Sequence, residues 1–308
     1  MTVLRPNLSA AGLRVKAPTV RPRRPMAKIG PNADGARPQS SAILGATKAI
    51  DWVSKPQIGD PFVIPRPTQS YASFVNAPSP RLKIGIVLTE LFGVPIDSEV
   101  AQAVKDTGKI LERMGHHVEI AEADFGGIAT LHHINDLFFF GFDARLDGYA
   151  KRTGQKVGPD TLEPVILSVY EFAKQITPAR FFTAMSEINV ARRKLARFYA
   201  DHDVWLSPTT SRVSEPWGKY HLSKAGVDAS SLVEKLFAEP CQFTVPHNIM
   251  GTPGLSLPLA MHSTGVPIGV QLAGRPAEEH VLIGLGGALE KAMPWAKRLP
   301  ALHVSKMG

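Results

Sequence analysis

Hydrophobic positions along this chain change period several times, and each change predicts an element. Leu82-Lys83-Ile84-Gly85-Ile86-Val87-Leu88 alternates and is rich in β-branched residues, as a strand should be. Val100, Val104, Leu111 and Met114 then share one helical face, with Asp97 placed to cap the helix start and Gly115 to stop it. His117-Val118-Glu119-Ile120 returns as a second strand, and a helical crossover between two strands predicts that they run parallel in one sheet. Residues 127–200 keep a helical period. Within them, Thr177-Pro178 reads as an N-cap followed by proline at the first helical position. Phe181, Met185, Ile188, Leu195 and Phe198 form a stripe expected to pack inward. Val204-Trp205-Leu206 is a short buried strand that runs into the loop Ser207-Pro208-Thr209-Thr210. Gly254 to Met261 and Pro267 to Ala273 flank Ser263-Thr264-Gly265, the pattern of a β-hairpin with glycine at its turn, and Glu278 to Lys291 supplies a last amphipathic helix. Together these elements predict an α/β fold, a mixed β-sheet flanked by helices.

Before residue 80 the apolar residues follow neither period and proline recurs. One short helix is expected near Ala42 to Val53. Asp60 to Pro67 reads as extended chain, because each proline pushes its predecessor out of the α region. We therefore divide the chain into an irregular basic leader and linker, residues 1–79, and an α/β domain, residues 80–308.

Composition confirms a globular body: 308 residues with 44% hydrophobic and 20% charged positions exclude a wholly disordered chain. Charge changes the picture more. Of the net +8, residues 1–40 carry +7, with eight bases against Asp34 alone, which leaves +1 for everything after them. The polyanion partner that a basic protein suggests is thus a property of the leader, and nucleic acid is not expected as a partner of the body. Arg192, Arg193, Lys194 and Arg197 read as a solvated helix face. A single cysteine, Cys241, permits no internal disulfide. With no apolar run of membrane length and no secretory signal, the expected setting is the cytoplasm, without membrane association.

Local motifs single out no active site. His116-His117 and His132-His133 are adjacent pairs whose side chains diverge, and no His-Glu-x-x-His or Cys-x-x-Cys occurs, so neither a metal nor a cofactor is expected. Gly284-Leu285-Gly286-Gly287 fits no phosphate loop and lies in an apolar helical pattern, where close packing explains it. Ser256, in Gly254-Leu255-Ser256-Leu257-Pro258, lacks the second glycine of a nucleophile elbow and reads as a strand serine with structural hydrogen bonds. Cys241 is expected to be buried and inert.

Longer segments do carry a resemblance. Phe243 to Pro258 (FTVPHNIMGTPGLSLP) is similar to the segment of Asn, Gly and Pro that leads into a Ser-x-Pro strand in the amidase signature family, and Gly265 to Pro276 resembles that family's closing hairpin. Pro294-Trp295, Arg298 and Pro300 resemble its usual ending. Gly158 to Pro164 and Asp203 to Thr209 are similar to the subgroup of 6-aminohexanoate cyclic-dimer hydrolases. The resemblance covers about residues 45–308 and implies the C-terminal part of an amidase-signature fold acting on a small amide substrate. It also implies chemistry by a Ser, cis-Ser and Lys triad that belongs to the N-terminal half of the family. The family's Gly-Gly-Ser-Ser-Gly-Gly run is absent, since Ser40-Ser41 and Ser230-Ser231 have no flanking glycines, so no catalytic residue is assigned.

Phe138, Phe140 and Phe142, with His247, Asn248 and Gly251, are the candidates for a substrate-pocket wall, against the plainer reading that the phenylalanines are core. Gly12 to Thr19 resembles the family's Gly-Leu-Lys-Pro-Thr segment, which follows the nucleophile. The expectation is therefore a frame error or internal start that replaced the catalytic half, leaving a basic leader. A non-catalytic remnant or binding module, and nucleic-acid association through the leader, are the alternatives. A sheet shared between two halves would expose an apolar edge and favour a partner such as a second copy of the chain.

Overall fold

In the computed structural model, which describes residues 42–221 and 227–299, α1 (Ala42–Val53) and a 3-10 turn (Tyr71–Asn76) precede β1 (Lys83–Ile86), α2 (Ser98–Arg113) and β2 (His117–Ile120). A helical stretch follows: α3 (Gly127–Phe139), α4 (Phe142–Thr153), α5 (Pro164–Ala173), α6 (Pro178–Ala196) and the short α7 (Phe198–Asp201). After β3 (Val204–Pro208), a π-helical turn (Val233–Ala238) runs into α8 (Glu239–Cys241) and α9 (Val245–Met250). The hairpin β4 (Gly254–Met261) and β5 (Pro267–Ala273), then α10 (Glu279–Ala292), complete the described chain. The basic segment 1–40, with Gly12 to Thr19, and Pro300 lie outside the described residues.

The strands form one mixed sheet in the order β2-β1-β3-β5-β4. β1 pairs parallel with β2 and with β3, while β5 runs antiparallel to β3 and to β4. Local chemistry sets these elements. The Asp97 carboxylate accepts from the backbone N–H groups of Glu99 at 2.8 Å and Val100 at 3.2 Å, capping α2, and Gly115 stops it with a φ of +96°. Thr177 caps α6 in the same way, through its hydroxyl and the Arg180 N–H at 3.2 Å. Gly265, at φ +83°, turns the β4–β5 hairpin.

Strand alternation divides the core between the two faces of the sheet. Ile84, Ile86, Val204, Leu206, Leu257, Val270 and Leu272 face α2 and α10, while Trp205 and Ala273 face the α6 and α7 side with Leu195, Phe198 and Phe243. Ile43, Tyr71 and Val75, which the sequence groups with the linker, are buried in the first of these cores. They can be because α10 carries glycines where it meets the 3-10 turn: a Cβ on Gly287 would lie 2.1 Å from the Val75 carbonyl oxygen.

The stripe expected on α6 is out of phase at its start. Ala184, Ile188, Ala191 and Leu195 face inward, whereas Met185 is 47% exposed and Phe181 only half-buried. Small alanines let α3 and α9 approach α6 closely, so the buried face follows the alanines rather than the largest side chains. Phe198 falls beyond the end of α6 and packs from α7 against Trp205, ring centroids 4.9 Å apart.

Candidate functional site

The sheet has one topological switch point. From β1 the chain crosses by α2 to β2 on one side, then returns through the helices to β3 on the other, so the connections part between β1 and β3. The crevice beyond the carboxyl ends of two such strands is where open α/β sheets place ligands. Here the loops are residues 87–97 after β1 and 209–215 after β3, and buried polar groups pin them together. Asp97 N–H donates to the Ser211 carbonyl at 2.9 Å. The fully buried Gln242 accepts from the Phe92 N–H at 3.4 Å and donates through Nε2 to the Val94 carbonyl at 2.9 Å and to the Ser211 hydroxyl. Ser211 passes the chain of bonds on to the Glu239 carbonyl at 3.0 Å.

Just beyond, Thr210, Arg212, Val213, Glu215, Tyr220, Glu239 and Pro240 help line a cavity of about 120 Å³. Its charges are paired crosswise. Arg212 lies 3.1 Å from Glu239 through Nε and 3.4 Å from Glu215 through Nη1, while Lys219 Nζ reaches Glu215 at 2.5 Å and Glu239 at 3.0 Å. The hydrogen bond from Lys219 holds the Glu215 carboxyl below its ordinary pKa. Burial works against the Lys219 ammonium, yet its bonds to Glu215 and Glu239 carry its pKa above the ordinary value. Glu215 and Lys219 are thus held in their charged forms, and among the described residues two cations face two carboxylates.

The residues expected to form a substrate wall fall into two groups. Phe138 is exposed at the end of α3, Phe140 stacks on Phe181 at 4.3 Å, and Phe142 meets Phe139 edge-on at 5.9 Å. His247 is buried against Trp205, ring centroids 5.2 Å apart, and shares a 3.0 Å hydrogen bond with the Thr252 hydroxyl. Burial pushes its imidazole down to about 4. Asn248 beside it is exposed, and Gly251 closes α9 with a φ of +69°. The first group belongs to α3, α4 and the join between them and the second to α9; α3 and α9 both pack on α6.

The other nucleophile candidates have structural surroundings. Burial raises the Cys241 thiol pKa, with the Thr244 hydroxyl opposing. The Ser256 hydroxyl lies 2.6 Å from that of Thr209 on the sheet surface. Among the described residues no group of three or more His, Cys, Asp or Glu is placed to hold a metal ion. Gln242, Arg212 and Glu239 escape sequence reading because they belong to no motif; Pro208-Thr209-Thr210 at a strand end was the one available signal.

Comparison with known proteins adds the decisive observation: the amidase family model matches residues 12–283. The chain belongs to the amidase family. This amidase-family chain is 28% identical over 259 residues to the 6-aminohexanoate-cyclic-dimer hydrolase of Paenarthrobacter ureafaciens, covering 82% of the chain and 52% of that protein. It is 29% identical over 262 residues to the enzyme of the same name from Pseudomonas sp. (strain NK87), again covering 82% and 52%. A solved 6-aminohexanoate cyclic dimer hydrolase superposes with a TM-score of 0.76 at 26% identity, over 84% of this chain and 55% of that one. A bacterial aryl acylamidase, at 17% identity and a TM-score of 0.69 over 83% and 52%, shares the fold. The chain spans about half the length of the curated relatives it matches. The family match takes in residues 12–40, most of the basic segment.

Proposed function

We propose that this chain supplies the C-terminal α/β part of a hydrolase of linear amide bonds, and that the Ser, cis-Ser and Lys residues of that chemistry come from a segment outside this sequence. The observation that carries the reading is the amidase match over residues 12–283 in a chain without the family's Gly-Gly-Ser-Ser-Gly-Gly run. Because the match starts at residue 12, the similarity of Gly12 to Thr19 to the segment that follows the nucleophile favours a junction before residue 12 over a foreign leader extending to residue 40. On this reading the residues around β3 and α9 form part of the substrate pocket, and the serine segment completes it.

The test is to read the encoding DNA upstream in all three frames, join any serine- and glycine-rich segment found there to this chain, and assay a panel of carboxamides. Hydrolysis by the joined protein and none by the chain alone is the expected result. Turnover by the chain alone would show that it holds its own nucleophile, and no turnover by either would overturn the hydrolase reading.

A further inference from the structure

The chain between α1 and the 3-10 turn forms an arm with a clamped base. The Asp51 carboxylate accepts from the backbone N–H groups of Tyr71 at 2.6 Å and Ala72 at 3.0 Å, so the two ends of residues 52–70 are held together while the stretch between them runs out and back. Along it, the Asp60 carboxylate accepts from the Gln57 N–H at 2.6 Å and Gly59 turns the chain at a φ of +97°. Phe62-Val63-Ile64 then lies between Pro61 and Pro65 and makes no backbone hydrogen bond among the described residues. Trp52, Val53, Ile58, Phe62, Val63 and Ile64 are each at least 65% exposed. Apolar side chains gathered this closely on a surface mark a place where another molecule sits. The prolines restrict the arm before it binds, so less conformational freedom is lost when it does.

A groove of complementary character lies elsewhere on the same chain. Pro159, Leu162, Pro164 and Leu167, with Ser168 and Glu171, line a space of about 350 Å³ at the start of α5, a size that suits an inserted side chain such as the Phe62 ring. Charge matches as well. The arm carries Lys55 and Arg66 against Asp60, whereas the exposed Asp160 and Glu163 are interspersed among the lining residues, and Lys174 is the base that pairs with Glu171, at 3.0 Å. Arm and groove belong to opposite sides of the sheet. α1 and the 3-10 turn pack into the core beneath α2 and α10, while α5 packs on α4 and on α3, which belongs to the core of the other face. The sheet therefore separates the arm from the groove of its own chain, and a second copy brings the two together. If each of two chains gives its arm and receives the other's, the contact closes on a twofold axis and is made twice.

We propose that two copies of this chain form a dimer by reciprocal exchange of the 52–70 arm, Phe62 of each filling the groove between Pro159 and Leu167 of the other. This interface goes beyond the hydrolase reading and does not depend on it.

The test is sedimentation equilibrium of the purified full chain, which should show a monomer–dimer equilibrium. Phe62→Asp and Leu162→Asp should each weaken the dimer at least tenfold, because either change spoils both contacts of a twofold pair. Mixing the two variants should restore a dimer that neither forms alone, since the intact arm of the Leu162→Asp chain still fits the intact groove of the Phe62→Asp chain. Cooperative urea unfolding of each variant confirms that it is folded. A parent chain that stays monomeric at every concentration overturns the proposal without recourse to any variant. A dimer that survives either substitution in a folded variant, or a mixture that fails to pair, overturns it as well. If the chain joined to a serine segment is a monomer whose arm resists proteolysis, that segment and not a second copy occupies the arm, which overturns the exchange and leaves the hydrolase reading untouched.

Discussion

Arg298 closes the open side of β4 by donating through Nη1 to the Pro258 carbonyl at 2.9 Å and through Nη2 to the Leu259 carbonyl at 3.4 Å. β4 is an edge strand, and Gly254 to Met261 contains no charged residue that would repel a second strand. Pro258 lacks an N–H and sits where the β4–β5 register shifts, between Leu257 and Ala260. Proline and arginine together thus remove one donor and two acceptors from the middle of the edge. The sticky sheet edge expected from the sequence is guarded at this point.

Arg298→Ala should reopen that edge. Sedimentation velocity is expected to show more self-association for the variant than for the parent chain at equal concentration, with Arg298→Lys between them because an ammonium cannot fork across two carbonyls. Identical sedimentation of all three would show that the contact does not protect the edge.

The α10 glycines differ sharply in what surrounds them. A Cβ at Gly287 would lie 2.1 Å from Val75 O, whereas at Gly284 the nearest atom, Phe74 O, is 3.4 Å away. Gly287→Ala must push two backbones apart and should lose about 1–3 kcal/mol in urea unfolding. Gly284→Ala gains helix propensity to offset a tight contact and should lose at least about 1 kcal/mol less. Equal losses would mean that α10 and the 3-10 turn are not packed this closely.

Gln242→Leu tests the knot between the loops after β1 and β3. The replacement fills similar space but leaves the Phe92 N–H, the Val94 carbonyl and the Ser211 hydroxyl without their shared partner. Unsatisfied buried groups cost roughly 1–3 kcal/mol each, so a loss of at least about 2 kcal/mol is expected in chemical unfolding. Hydrogen exchange should also rise in residues 209–215 before the rest of the sheet. A variant as stable as the parent would remove Gln242 from this role.

The strands and the hairpin were legible because a period of two and glycine at a turn act within a few residues: the parallel β1–β2 pair and β4–β5 formed where Leu82 to Leu88, His117 to Ile120 and Gly265 placed them. The inward face of α6 was misread at Phe181 and Met185 because helix phase depends on what packs against the helix, and here alanines set the contact. The 3-10 turn was invisible for a similar reason. Tyr71 and Val75 have no local period, and α10, some two hundred residues later, buries them. The charge-paired cavity was beyond sequence reading altogether, since Arg212 and Glu239 meet only when the loop after β3 is tied to the start of α8.

His247 makes stability depend on pH between its ordinary and its folded value. Burial lowers the imidazole from 6.5 to about 4, so the unfolded chain binds a proton in that window that the folded chain does not. Stability is therefore complete above about 6.5 and falls as pH drops toward 4, by roughly 3 kcal/mol in all. His247→Gln should be less stable at neutral pH but should lose this slope. An unchanged slope in urea midpoints from pH 7 to 4 would assign it to another group.

Glu119 governs a lower window. Its carboxylate accepts from Lys83 at 3.1 Å, from His117 at 3.2 Å and from His202 at 2.9 Å, tying β2 to β1 and to the residue that follows α7. Lys83 and then His117 are the largest influences that lower its pKa from 4.5 to about 2, and His202 adds to them while desolvation opposes. A depressed acid contributes stability that is present above its unfolded value and is lost as pH falls through its folded value. The Glu119 contribution should therefore persist down to about pH 4.5 and vanish on approach to pH 2. In Glu119→Gln that acid limb should flatten while the slope due to His247 at higher pH remains, because the two groups titrate in largely separate ranges. Unfolding followed by circular dichroism at pH steps from 7 to 2, in parent and variant, reads both limbs in one series. Loss of the upper slope in Glu119→Gln, or survival of the lower one, would show that the cluster of Lys83, His117 and His202 around Glu119 does not act as the geometry requires.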